Sequence, residues 1–190
     1  AFEKQNSSFC SIDPYVALAR ASVESFVQDG KPLLLADYLK EHYLNKRLSH
    51  ELLETRAGVF VSLHEQGQLR GCIGTIMPTT VCIAEEIIQN AISACSRDPR
   101  FPAVKECELD LLDISVDVLS EAEPVTSEEE LDPQRYGVIV TKGFRRGLLL
   151  PNLEGVDTAT QQVSIAKQKA GIHADEHDVE LERFEVVRHV

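Results

Sequence analysis

Two hairpin-like stretches constrain this chain more than any other feature. Val59, Val61 and Leu63 alternate with Phe60, Ser62 and His64, the period of a strand with one apolar face. A polar turn at Glu65-Gln66-Gly67-Gln68 follows and Leu69 to Ile76 returns, so VFVSLHEQGQLRGCIGT, Val59 to Thr75, reads as a β-hairpin. The pattern recurs in YGVIVTKGFRRGLLLP, Tyr136 to Pro151, where two apolar arms flank Lys142-Gly143-Phe144. Arg70-Gly71 and Arg146-Gly147 hold comparable places in the second arms, 76 residues apart.

A helix and then a strand follow each hairpin. Thr79 or Thr80 is the expected cap of a helix over Val81 to Ser96. Its apolar face is Ala84, Ile87, Ile88, Ala91, Ile92 and Cys95, with Glu85, Glu86 and Gln89 on the polar face. A strand over Leu109 to Leu119 comes next, its apolar side Leu112, Ile114, Val116 and Val118. In the second half the helix is Thr158 to Ala170, stopped near Gly171, and a ragged strand spans Leu181 to Val187. This order predicts an α+β fold, with largely antiparallel sheets and packed helices. It is consistent with internal duplication of a β-β-α-β unit. Two such halves would enclose a cleft, with Arg70 and Arg146 as candidates to face it.

Elsewhere, Asp13-Pro14 opens a helix that runs to about Gln28 and ends at Asp29-Gly30. A second helix is expected over Ala36 to Tyr43 and a short turn over Ser49 to Glu54. Asp98 to Pro102 is a stiff, proline-bounded connection, and Glu121 to Leu131 an acidic surface connection. Residues 13–190 are expected to form one domain of two closely associated subdomains, preceded by a polar extension at 1–12.

Of 190 residues, 43% are hydrophobic, enough for a real core. Lys plus Arg is 19 and Asp plus Glu is 31, so the formal charge is −12, which argues against nonspecific binding to nucleic acid or anionic membranes. The five cysteines, Cys10, Cys72, Cys82, Cys95 and Cys107, are odd in number and none are spaced C-x-x-C. That pattern points away from a disulfide scaffold and toward a reducing cytoplasm. No membrane-length apolar run or signal peptide is visible.

Cys72 is the clearest candidate nucleophile, provided that a cation such as Arg70 or Arg146 depresses its pKa. A free cysteine on an alternating strand is more often a small buried hydrophobe. Gly71 and Gly74 are costly in a strand unless a ligand, or a neighbouring backbone, needs the space. Arg70, Arg100, Arg145 and Arg146 are suited to a carboxylate or phosphate, and equally to ion pairs within an acidic protein. Asn90, at the edge of a helix's apolar face, is read first as a hydrogen bond tying helix to hairpin and second as a ligand contact. His173 and His177 lack a matched metal-ligand set, His64 is a weak candidate base, and GCIG is not a phosphate-binding fingerprint. No cofactor is indicated.

The segment LRGCIGT, Leu69 to Thr75, strongly resembles the AMMECR1 domain family. Support continues through Asn90-Ala91, DPRFPAV at Asp98 to Val104, LDISVDVL at Leu112 to Leu119 and the ELD segment. It resumes at YGVIV from Tyr136, RRGLLLP at Arg145 to Pro151 and QKAGI at Gln168 to Ile172. The resemblance runs from about Asp13 to Val190 and implies an α+β fold of two associated subdomains, with Arg70 to Gly74 as its signature. Bacterial and archaeal members are often named AmmeMemoRadiSam system protein A, which implies a Memo-like protein and a radical SAM protein as partners. It fixes no reaction. The chain departs from many relatives in PNLEGVDTATQQ, where they carry a tryptophan and this chain has none.

Three functional expectations follow. The first is binding of a small, anionic ligand or a protein partner in a modification pathway. The second is cysteine-dependent transfer or hydrolysis at Cys72, and the third an RNA-binding accessory role.

Overall fold

Asp13 accepts the Tyr15 N–H at 2.8 Å and Pro14 takes the first helical position, so α1, Pro14–Asp29, starts where its caps dictate. Gly30, at φ 66°, ends it by donating to Phe26. The computed structural model describes residues 12–42 and 49–190; the 1–11 extension with Cys10, and the expected helix end at Tyr43, lie outside the described residues. Two short helices follow, α2 at Leu35–His42 and α3 at His50–Glu54, the latter capped by Ser49.

Strands β1, Val59–Glu65, and β2, Gln68–Thr75, are joined at Gln66-Gly67, whose φ values of 52° and 77° give the twist that a two-residue hairpin turn requires. The free edge of β1 pairs antiparallel with β3, Leu112–Leu119, and β3 with β8, Val186–His189, giving the order β2-β1-β3-β8. Helix α4, Ile83–Ser96, and α1 cover the apolar face of this sheet, and Val59, Val61, Leu63 and Val116 are fully buried beneath them. The second sheet holds β4 (Glu123–Val125), β5 (Gly137–Lys142), β6 (Arg145–Leu149) and β7 (Glu180–Phe184) in the order β4-β7-β5-β6. Helix α5, Ala159–Ala170, packs on it through Val163 and Ala166 against Val138, Val140 and Leu149.

Connectivity therefore matches in the two halves: a hairpin, a helix on its face, then a strand antiparallel to the hairpin's first arm. The contacts match as well. A Cβ at Gly71 would collide with the Ala94 carbonyl oxygen of α4, and one at Gly147 with the Ala166 carbonyl oxygen of α5. Four residues before each alanine, a buried amide reaches the start of the hairpin. Asn90 Nδ2 donates to the Val59 carbonyl at 2.9 Å, and Gln162 Nε2 to that of Tyr136 at 2.7 Å. Each sheet also lays a phenylalanine over a cross-strand glycine, Phe60 over Gly74 and Phe184 over Gly137. These rings meet Leu119, Ile139, Leu148 and Ile76 in a third apolar cluster that joins the halves.

Five local expectations change. Thr79 and Thr80 do not cap α4; Cys82 holds that position and makes no side-chain cap bond. Glu86 is 1% exposed rather than on the polar face. Residues Glu106–Leu111 form a 3-10 turn, so β3 begins at Leu112, and the acidic connection contains β4. The single ragged final strand is two, β7 and β8, because the chain passes from one sheet to the other at Glu185.

Candidate functional site

Strand β2 is an edge, and Cys72 shows how that edge is closed. Its N–H donates to Asp98 Oδ2 at 2.9 Å and its carbonyl accepts from Arg100 Nη2 at 3.2 Å. Arg100 also grips Asp98 through Nε at 3.0 Å and Nη2 at 2.8 Å. The buried carboxylate and its guanidinium partner thus occupy the place of a neighbouring strand. The stiff proline-bounded connection holds them there. Hydrogen bonds from Arg100, and then from the Cys72 and Arg100 N–H groups, hold the Asp98 carboxyl well below the usual carboxylate range despite its burial.

The Cys72 thiol faces away from α4, with Ser62 Oγ at 3.2 Å. Burial pushes its pKa up; the Ser62 hydrogen bond and Arg100 pull it down, Asp117 and Asp98 push it up, and the net direction is up. It is a protonated thiol at neutral pH, not a preformed thiolate. Arg188 of β8 grips the buried Asp117 carboxylate at 2.8 and 2.9 Å. Arg188 and Lys169 of α5 both lie within electrostatic reach of the thiol, which places Cys72 between the two halves.

The arginines part company. Leu63 pairs with Gly71 and His64 with Leu69, so Arg70 is the extra residue of a β-bulge, and the bulge re-aims its side chain. Arg70 contacts Glu108 at 2.8 and 3.2 Å and the Pro102 carbonyl at 2.8 Å, away from any cleft between the halves. The second hairpin has no such bulge. There Arg145 makes the matching contacts, to Glu176 at 2.8 and 3.0 Å and to the Gly171 carbonyl at 3.1 Å. The parallel extends to the carboxylates, for Glu108 accepts the Lys105 N–H and Glu176 the His173 N–H, each three residues back. Arg146 is left with one 3.3 Å contact to Glu182.

Arg146 and Glu182 border a cavity of about 330 Å³ between the halves. Ile76, Leu119, Ile139 and Phe184 supply its apolar walls; Arg56 also lines it, its guanidinium tied to the Thr80 and Pro78 carbonyls. Cys72 is not among its lining residues. Of the residues singled out from sequence, Cys72 and Arg100 come together, Arg146 stands at the cleft and Arg70 is turned outward. Gly71 and Gly74 admit a helix backbone and the Phe60 ring, and Asn90 ties α4 to the hairpin. Sequence reasoning passed over Asp98, Glu182 and the Asp117–Arg188 pair. It also passed over Glu86, which accepts from the Thr75, Thr79 and Thr80 hydroxyls and the Thr79 and Thr80 N–H groups. One signal was present for Glu86, its i,i+4 spacing from Asn90 on the inward side of α4. Among the described residues no cluster of His, Cys, Asp and Glu fits a metal ion, and no helix is long and apolar enough to cross a membrane.

The family model for AMMECR1 matches residues 16–189. The chain belongs to the AMMECR1 family. A Thermotoga maritima protein is 50% identical over 177 residues, covering 93% of this chain and 97% of its own. A Clostridium acetobutylicum protein is 52% identical over 178 residues, but the match is 36% of that longer chain. The crystal structure of uncharacterized protein PH0010 from Pyrococcus horikoshii shares the fold, with TM-score 0.79 and 31% identity over 93% of this chain and 89% of that one. These AMMECR1 relatives carry no assigned activity.

Proposed function

We propose that this AMMECR1 chain is a cytoplasmic ligand-binding module whose site is the cleft between its two sheets. The observation that carries this reading is Arg146, held by one 3.3 Å contact at the mouth of an apolar cavity of about 330 Å³. An apolar pocket with a weakly held guanidinium at Arg146, and a second at Arg56 that is tied to two carbonyls, suits a small molecule with an aliphatic or aromatic body and a carboxylate or phosphate group. Ligand binding would replace Glu182 as the partner of Arg146. The matched connectivity of the halves supports reading them as an internal duplication, with the cleft between the copies. Free thiols at Cys72, Cys82, Cys95 and Cys107 fit a reducing compartment. The longer Clostridium relative fits a domain that works beside other protein regions. Memo-like and radical SAM proteins are the proposed partners.

Thermal-shift screening against small aryl and alkyl carboxylates and phosphates tests the reading. A ligand of this site raises Tm in the native protein and not in Arg146→Ala, and moves the NMR signals of Ile139 and Phe184. A ligand that acts equally on both proteins, or leaves those signals still, sinks it. Cysteine chemistry is the second reading, favoured by the three cations around Cys72 and opposed by its raised pKa. An alkylation rate no faster than that of a free thiol at pH 7 removes it.

A further inference from the structure

A second groove, of about 590 Å³, runs between the outer edge of β2 and helix α4, on the side of the sheet away from the cleft. Ile88 and Ile92 of α4 lie along it. Leu33 and Leu34 form the far wall, and Ile73, Gly74 and Thr75 the near one. Cys72 turns its N–H and carbonyl outward to Asp98 and Arg100. Two residues on, Gly74 faces the same way, because backbone direction along a strand repeats every second residue. Its N–H and carbonyl have no outward partner among the described residues. Asn90, 4% exposed, spends its amide nitrogen on Val59 and Thr75, and its Oδ1 has no partner among the described residues. Glu85 and Arg97 also line the groove, and neither forms an ion pair among the described residues.

We propose that this groove receives the extended C-terminal tail of a partner protein, added as a strand to β2. Thr75 touches Glu86 and Asn90 while Gly71 meets Ala94, so α4 runs antiparallel to β2. A strand antiparallel to β2 therefore runs with α4, from Glu85 toward Arg97. Those residues are about 18 Å apart along the helix, the span of roughly five or six extended residues. Asp98 and Arg100 already fill the ladder position beside Cys72, so the added strand stops there. A chain end stops without turning, and its carboxylate lands at Arg97. The full charge of Arg97 outweighs the partial negative charge of the carbonyl end of α4. Glu85 favours a basic residue at the other end of the tail, and the exposed Leu34 with the half-buried Leu33 and Ile73 favour apolar side chains between. Main-chain pairing at Gly74 supplies affinity and the alternate side chains specificity.

The probe is a six-residue fluorescent peptide with lysine first, alternating threonine and valine, and a free terminal carboxylate. Its C-terminal amide is the comparison. The free acid is expected to bind and to slow hydrogen exchange at the Gly74 N–H. The amide and the Arg97→Glu variant should each bind at least about tenfold more weakly, and Glu85→Lys about threefold more weakly. Both substitutions set a charge against the dipole of α4 and should lower Tm by only a few degrees, so binding is compared well below the transition. Equal affinity for acid and amide overturns the proposal, as does no binding up to about 1 mM. A concentration-dependent dimer that protects Gly74 and that the peptide does not disperse also overturns it, since the edge would then serve a second copy of the chain.

Discussion

At the N-terminal end of α4 the first unit buries a carboxylate; at the same place in α5 the second unit sets a threonine. Counting back eight residues from Ala94 gives Glu86, and from Ala166 gives Thr158. Thr158 is an ordinary cap, its hydroxyl accepting the Gln161 N–H while Gln161 returns the bond. Glu86 instead gathers the loop between β2 and α4. Burial pushes its pKa up, but hydrogen bonds from Thr75, Thr80 and Thr79 outweigh this and bring it down. A shared backbone plan thus carries quite different polar devices at one position: Thr158 satisfies a donor of its own helix start, whereas Glu86 satisfies the Thr79 and Thr80 N–H groups of the loop before α4. Glu86→Ala strands buried donors and is expected to cost about 3 kcal/mol or more. Thr158→Ala should cost about 1 kcal/mol. Urea midpoints of the two variants measure the gap, and equal losses would break the contrast.

The same asymmetry sets the response to acid. Glu86, Asp98 and Glu108, all in the first unit, titrate below their ordinary values in the folded chain; in the second unit Glu176 is pulled down to about 2 by Arg145, and Glu130 is lowered by hydrogen bonds from Thr126, both at the surface, whereas Glu86 and Asp98 are buried. A carboxylate with a depressed folded pKa contributes stability above its unfolded value, near 4, and loses it as pH falls toward the folded value. Stability should be flat from about pH 8 to 5 and fall below about pH 4. Hydrogen exchange should quicken in β1 and β2 before β5 and β6. The reverse order would show that Glu86 and Asp98 do not dominate.

The glycines test the likeness rather than the difference. Gly71→Ala and Gly147→Ala each push a Cβ into a helix carbonyl, and each is expected to cost about 2 kcal/mol or more. Unequal effects would mean that one helix can back away and the other cannot. This pair was half legible in the sequence. Arg-Gly recurs at matching places, so the hairpins and their order can be read from alternation and turn residues. The ladder register cannot be read that way. A bulge makes Arg70 an extra residue with no ladder counterpart in the second hairpin, and by its contacts to a carboxylate and a carbonyl it matches Arg145, not Arg146. Asp98 was equally hidden, since in sequence it belongs to a proline-bounded loop and only the edge position of β2 gives it a task. The split of the last strand was invisible for a similar reason, because β7 and β8 are separated by one residue, Glu185, and alternation does not say which sheet a strand joins.

Asn90 and Gln162 differ less. Asn90 has two partners for its amide nitrogen, whereas Gln162 has one and leaves its buried Oε1 with none. Asn90→Leu is expected to lose about 2 kcal/mol. Gln162→Leu removes an unsatisfied acceptor along with the bond to Tyr136, and should change stability by less than about 1 kcal/mol.

The smallest expected effect on stability falls at the residue with the largest expected effect on binding. Arg70 is only 13% exposed and holds two groups; its loss should cost about 2 kcal/mol. Arg145, 40% exposed, should cost less than Arg70. Arg146, with its one long contact to Glu182 at the cleft mouth, should cost less than about 0.5 kcal/mol. An arginine retained at such a place contributes little to holding the fold together. Its guanidinium is available to another anion at the cost of one weak contact. If Arg146→Ala proves as destabilising as Arg70→Ala, Arg146 is a structural clasp like its neighbours, and the cleft loses its one weakly held guanidinium.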